Sequence, residues 1–145
     1  MILLILIIVL FFFVSISLIY FTIRLHVPPM MSSPEAMIAI AKLIPTDSKT
    51  IIDVGSGWGN LIFILARKFP DRKIIAYELS PFPYLISMGI KYLFRFSNVK
   101  IYRKDGLKTD IPDNACIVTY LCLDTMNEIK NKIDLGKWKP SYLIS

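Results

Sequence analysis

The sequence predicts an α/β fold, a doubly wound and mostly parallel sheet of five strands, preceded by one transmembrane helix. Three observations point there. From residue 34 onward, short apolar runs of strand length alternate with segments of helical apolar spacing, the pattern of strand–helix–strand units whose strands lie parallel. The first such run ends in an acid and passes at once into a glycine-rich turn, IIDVGSGWGN over 51–60. Residues 1–23, finally, carry no charge at all.

Each element follows in order. The opening segment, MILLILIIVLFFFVSISLIYFTI, exceeds the about 20 apolar residues that a helix needs to cross a bilayer core. A cleaved leader would show a basic start, a short apolar stretch and a small-residue cleavage site, and none of these is present. An all-round apolar helix of this length inside a core would need more protein around it than this chain supplies. The segment therefore reads as an uncleaved single-pass anchor. Arg24, Lys42 and Lys49 are the first basic residues and all follow it, which places the remaining chain on the cytoplasmic side. Residues 24–33 form a joint in which Pro28 and Pro29 enforce extended backbone. The domain proper, 34–145, opens with a helix over 34–43, with Ser33 as its cap and Pro34 in its first turn. Pro45, Asp47 and Ser48 make a turn before a buried strand over 50–54. A helix over 60–69 is stopped by Pro70 and Asp71; a strand over 73–79 (KIIAYEL) follows, and Pro81 and Pro83 open a helix to about residue 96. A third strand over 99–103, a turn at Asp105 and Gly106, a fourth strand over 115–121, a helix over 125–135 and a fifth strand over 141–145 complete the pattern.

All 17 Lys and Arg residues lie after Ile23, against 11 acids, so the formal charge of +6 belongs to the polar part alone. Such a balance favours anionic partners: lipid head groups, nucleic acid or acidic protein. Lys91, Arg95, Lys100, Arg103, Lys104 and Lys108 form a loose basic stretch, read either as a solvated face or as an adhesive for an anionic lipid surface. No stacking aromatics interleave as in an RNA-binding motif, so no nucleic acid is expected as partner. Cys116 and Cys122, spaced by six in an apolar run, belong on one strand face as core thiols of a reducing compartment; a disulfide framework would need more cysteines. No metal site is expected, since His26 has no Cys, Asp or Glu at ligand spacing.

The glycine turn carries the chemistry. In a strand–turn–helix unit, glycines let the backbone turn sharply and approach a ligand whose charge meets helix N-terminal amides. The dinucleotide pattern GxGxxG is broken by Asn60, and the GK[ST] of a phosphate-binding P-loop is absent. What remains is an acid, Asp53, two residues before the first glycine, a GxGxG turn, and a second acid, Glu78, at the end of the next strand, placed to accept hydrogen bonds from ribose hydroxyls.

This combination resembles the class I, seven-strand, Rossmann-like S-adenosylmethionine-dependent methyltransferases, whose first motif, hhDhGxGxG, reads IIDVGSGWG here. The resemblance implies S-adenosyl-L-methionine as cofactor. It implies that Asp53 orients the methionine amino group, that Gly55 and Gly57 let the backbone pass beside the methionine moiety, that Glu78 holds the ribose and that Leu79 packs on the adenine. Asp105, in KDG after the third strand, matches the position that contacts the adenine amino group. Ser56, inside the turn, and Gly106, beside Asp105, are counted with these cofactor-binding residues. Before the first motif, VPPMMSSPEAMIAIAKLIP resembles a smaller group, the membrane-anchored protein-lysine methyltransferases, which implies a lysine of a membrane protein as acceptor.

Two departures bear on activity. After the fourth strand the chain reads YLCLDTM, where methyltransferases of nucleic-acid bases carry Asp, Asn or Ser followed by two prolines and an aromatic, so base methylation is disfavoured. The family's last helix and antiparallel strand pair would follow residue 145, so the domain reads as incomplete at its C-terminus. A non-catalytic cofactor- or partner-binding relative, and a small-molecule or lipid methyltransferase, stay open beside the lysine reading. For orienting the acceptor the candidates are Asp124 and Glu35, each also readable as a plain helix-start carboxylate. Tyr120 reads first as a strand residue packed on a helix, and Trp58 either walls the cofactor turn or packs helix to sheet.

Overall fold

The structure, a computed structural model, describes residues 1–25, 33–121 and 123–145, and the chain divides into two units, Met1–Met30 and Met31–Ser145. In the first, α1 (Ile2–Leu25) is one helix of 24 residues. Its stretch Ile2–Ile23 is long and apolar enough to cross a membrane; at 1.5 Å per residue it runs about 33 Å, against about 30 Å of hydrocarbon. The prolines read as the joint lie outside the described residues.

The second unit is built around a parallel sheet of five strands: β1 (Thr50–Val54), β2 (Lys73–Tyr77), β3 (Val99–Tyr102), β4 (Cys116–Val118) and β5 (Tyr142–Ile144), in the order β3-β2-β1-β4-β5. The helices are α2 (Pro34–Leu43), α3 (Asn60–Lys68), α4 (Pro81–Leu93) and α5 (Leu123–Asp134), with a single 3-10 turn over Gly106–Lys108. The start of α2 follows its sequence signals: Ser33 Oγ accepts the amide of Ala36 at 3.2 Å, and Pro34 and Glu35 occupy the first turn. Met37, Ile40 and Ala41 of α2, Leu61, Ile62 and Leu65 of α3, and partly buried Tyr84, Met88 and Ile90 of α4 cover one face of the sheet over Ile51, Ile74 and Val99. The other face, Ile52, Val54, Ile75 and Ile117, is closed by Ile129 and Met126 of α5 together with Trp138, Ile111 and Leu107. This is the doubly wound arrangement that alternating elements imply.

Strand order decides where a ligand can enter. From β1 the chain winds outward through β2 to β3, then returns across β1 to β4 and continues to β5. At such a reversal two neighbouring strands send their following loops to opposite sides, opening a crevice beyond their C-terminal ends. Here that reversal falls between β1 and β4, beyond Val54 and Val118.

Several elements differ from the sequence reading: β2 ends at Tyr77 and not at 79, and α4 at Leu93 and not near 96. β4 is shorter than 115–121, because it pairs with β1 only from Ile51 to Asp53; once β1 enters the glycine turn, the chain after Val118 has no strand on that side to pair with. Thr119 closes the strand, its Oγ1 donating to the Val54 carbonyl at 3.1 Å and its amide to the Ile144 carbonyl at 3.0 Å. Tyr120, expected to pack against a helix, is 57% exposed beyond the strand end. Cys116 is fully buried and free, whereas Cys122 lies outside the described residues, so the shared strand face expected for the pair is not there to be described.

Candidate functional site

The IIDVGSGWGN stretch turns from β1 into α3 through backbone that few residues adopt: Gly55, Gly57 and Gly59 have φ of 81°, 55° and 87°. Two of them serve opposite ends. At Gly59, the N-cap of α3, an added Cβ would stand 2.6 Å from Phe63 Cε2 and 3.0 Å from Ser87 Cβ, so the missing side chain lets α3 and α4 close on the turn. At Gly57 an added Cβ would meet nothing within 4 Å: the backbone there faces open space. The turn is tied to the neighbouring strand, with the amides of Gly55 and Ser56 both donating to the Tyr77 carbonyl, at 2.9 and 3.0 Å, and Gly59 donating to the Ser56 carbonyl at 3.0 Å.

Glu78, one residue past β2, is the second fastening. Its Oε2 accepts the amide of Gly57 at 2.8 Å and its Oε1 the amide of Ser80 at 2.6 Å. The carboxylate is buried, 6% exposed, and bridges the glycine turn to the start of α4, whose N-cap Ser80 makes no side-chain cap bond of its own. An ionised carboxylate has about four acceptor positions, so two remain for a ligand.

Asp53 stands at the end of β1, 3% exposed. Burial first, and the nearby Glu78 carboxylate second, push its carboxyl up to about 7. Both carboxylates are buried and close enough to act on each other, and among the described residues the ion pair is elsewhere, between Lys108 and Asp105 at 3.7 Å. Beside them Ser56 Oγ is buried without a hydrogen-bond partner. A buried unpaired hydroxyl and a destabilised carboxylate are both costly in an empty fold. Both are satisfied by a ligand that brings a cationic amine to Asp53 and polar hydrogen to the turn.

The structure therefore gathers Asp53, Gly55, Ser56, Gly57, Glu78 and Leu79 at the adjacent ends of β1 and β2. Asp105 follows β3, the next strand outward; its Oδ1 accepts the Leu107 amide at 3.1 Å and so starts the 3-10 turn. Gly106 has a packing reason of its own, since an added Cβ would lie 2.9 Å from Val54 Cγ1 and 3.0 Å from Tyr77 Cβ, drawing that turn over the ends of β1 and β2. The acceptor candidates are not drawn in. Asp124 is exposed inside the first turn of α5, which begins at Leu123 and not at residue 125 as the sequence predicts. Glu35 is exposed on α2, and among the described residues no hydrogen bond or ion pair ties either one to the turn. Trp58 is half-buried. Sequence reasoning passed over Ser80 and Thr119. Both carry a signal: a small hydroxyl residue before Pro81, and one polar residue closing an apolar strand.

No protein-family model matches the chain. It is 34% identical over 110 residues to the probable ribosomal RNA small subunit methyltransferase A of Methanosarcina mazei, an alignment covering 76% of this chain and 38% of that protein. The chain thus spans little more than a third of that relative's length. Among solved structures, the precorrin-6y C5,15-methyltransferase of Geobacter metallireducens superposes with a TM-score of 0.62 at 21% identity, over 75% of this chain and 58% of that one. The O-methyltransferase of a Brevibacillus brevis polyketide synthase, in complex with S-adenosyl-L-homocysteine, superposes at 0.52 with 20% identity, over 59% and 29% of the two chains.

Proposed function

We propose that the chain, similar over 110 residues to a ribosomal RNA methyltransferase and folded like a class I methyltransferase, is a membrane-anchored S-adenosylmethionine-dependent enzyme which methylates a lysine amine of a membrane protein from the cytoplasmic side. The observation that carries the cofactor assignment is the pairing of buried Asp53 with Glu78 across an open glycine turn. When bound, S-adenosylmethionine supplies a methyl group on a sulfonium. The residues present suit it. Asp53 would take the methionine ammonium and, so paired, would return to the ionised state that burial alone disfavours. Glu78, with its remaining acceptor positions, would hold the ribose hydroxyls. Ser56 Oγ would find a polar partner, Gly57 leaves room for close backbone approach, and Leu79 and Asp105 would serve the adenine.

The protein's remaining task is to align the acceptor, and alignment of this kind contributes about 7–11 kcal/mol. An acceptor lysine must also be neutral. Its usual pKa near 10.4 falls as the amine leaves water, so no dedicated base is needed, and a carboxylate such as Asp124 or Glu35 has only to orient it. The lysine and membrane reading rests on α1, which is long and apolar enough to span a bilayer, and on the segment before the first motif. A second reading, a nucleic-acid substrate, is favoured by the likeness to a ribosomal RNA methyltransferase; against it stands YLCLDTM after β4, which lacks the proline pair of the base methyltransferases.

The test is transfer of labelled methyl from S-adenosylmethionine to native membranes by the full chain, with protein, lipid and RNA separated afterwards. Label recovered as methyl-lysine in membrane protein is the expected result. Label in RNA or in extracted lipid would replace the acceptor while keeping the enzyme. S-adenosylhomocysteine binding without any transfer would leave a cofactor-binding relative that is not an enzyme.

A further inference from the structure

One surface has no use in the site just described. The inner face of α4 packs on the sheet with Pro83, Ser87, Met88 and Ile90. Its outer face is Leu85, Ile86, Gly89, Tyr92 and Leu93, a stripe about a third of the helix circumference wide at 3.6 residues per turn, and all five are exposed. Leu85 is 60% exposed, Tyr92 69% and Leu93 75%, and Phe94 at the C-cap continues the patch at 55%. A helix apolar on both faces needs an apolar neighbour on both. The sheet is one.

The charges around the stripe identify the other. Over 81–98, the helix and its exit, the chain holds two cations, Lys91 and Arg95, and no acid. Arg95 is exposed and Lys91 half-buried. The Lys91 ammonium lies 5.4 Å from the Tyr92 ring, and the Arg67 guanidinium lies 5.7 Å from Phe94 and 5.6 Å from Phe96, so positive charge is held at the margin of the apolar surface. From this we infer that the outer face of α4 is a lipid-docking surface, seated in the headgroup and acyl boundary of an anionic bilayer with its cations at the phosphate level. An apolar helix face with cationic margins sinks about 5–10 Å into that boundary, where an amphipathic tyrosine is also favoured. A second copy of the same face would set like charges against like. An RNA would neutralise the cations and leave Leu85, Ile86 and Leu93 in water. The inference rests on the membrane reading above: α1 brings the bilayer, and α4 gives the catalytic unit its own grip on it.

The experiment uses the full chain, carrying Cys122→Ser, reconstituted into phosphatidylcholine vesicles with or without phosphatidylglycerol. A fluorescent label is placed at Leu85→Cys, at Leu93→Cys or at the exposed control Lys139→Cys. With phosphatidylglycerol present, nitroxide-bearing lipid should quench the labels at positions 85 and 93 severalfold more than the control, and an aqueous quencher should reach them severalfold less. Lys91→Gln and Arg95→Gln should each release the docked state by about fivefold, the worth of one basic residue at an anionic surface. Labels at 85 and 93 as open to water as the control, in vesicles that hold the protein against carbonate extraction, would overturn the docking surface and leave the anchor standing. Failure to withstand extraction would overturn both. Shielding that is independent of anionic lipid, that vanishes on diluting protein into excess lipid, or that appears only with added RNA, would assign the face to protein, to a second copy or to nucleic acid instead, and each of these outcomes rejects the lipid.

Discussion

The ends of β1 and β2 and the end of β4 lie along one edge of one sheet, yet they are built in opposite ways. At β1 and β2 the polar groups are buried and fastened: Asp53, Ser56 and Glu78 are each no more than 9% exposed, and Glu78 draws in two backbone amides. At β4 the chain leaves the sheet after buried Thr119; Leu121 stays partly buried beside Gly55, but Tyr120 is 57% and Leu123 82% exposed, with Asp124 exposed beside them. The difference teaches how the labour of a methyl transfer would divide in this chain. On the proposed reading, the cofactor would be met by preorganised, dehydrated groups. The acceptor side is left open, to be shaped by whatever substrate, membrane or further chain covers it.

The largest expected effect tests the closed side against itself. Gly59→Val should cost about 3 kcal/mol of stability or more, adding overpacking against Phe63 and Ser87 to a left-handed backbone. Gly57→Val, with no atom in its way, should cost only the backbone term, about 1–2 kcal/mol, and yet abolish binding of S-adenosylhomocysteine. Denaturant unfolding and calorimetry on the two variants separate these outcomes. Equal destabilisation with retained binding at position 57 would mean that the open space there is not the ligand's.

Next comes Asp53. Its carboxyl is raised to about 7 in the fold, so the ligand-free domain favours the protonated form. Stability conferred by that proton is complete below the ordinary carboxylate value near 4, falls as pH climbs from about 4 to about 7, and is level above. Asp53→Asn should remove this decline and raise the thermal midpoint at neutral pH. It should also weaken S-adenosylhomocysteine binding by about tenfold to a hundredfold, the worth of one hydrogen bond to a charged group. The unsubstituted protein should release a proton on binding below pH 7, seen as a buffer-dependent heat. A pH-independent midpoint in the unsubstituted protein would end the claim that burial of this carboxyl is held in reserve for a cation.

The smallest effects belong to the open side. Asp124→Asn and Glu35→Gln should shift stability by no more than about 0.5 kcal/mol, as exposed substitutions do, and leave cofactor affinity unchanged. The one that orients the acceptor should lower kcat in the membrane-labelling assay; if neither does, the acceptor is aligned by other groups.

Much of this was legible beforehand because it is local. A strand of five residues ending in Val54, a turn through left-handed backbone that glycine adopts without steric cost and a helix start at Asn60 are set by neighbours within ten residues, and the alternation of such units implies parallel strands. Ser33 capping α2 is equally local. Three things were not legible. The apolar run over 115–121 reads as strand throughout, but pairing ends it at Val118, where β1 has already turned away. Glu78 reads as a ligand's carboxylate, and only the fold shows it holding Gly57 and Ser80 as well. The helix over 81–93 is apolar on all sides, so its period could not say which face the sheet would take.

By itself, then, the sequence determined the order of elements, the apolar first segment and the residues of the glycine turn, since backbone conformation, hydrophobic period and charge act over a few residues. Tertiary structure alone decided which glycine is packed and which is open, how far burial lifts Asp53, where β4 stops, and that Leu85, Tyr92 and Leu93 are left facing outward. Those outcomes depend on distances between segments remote in the chain, and no local pattern carries them.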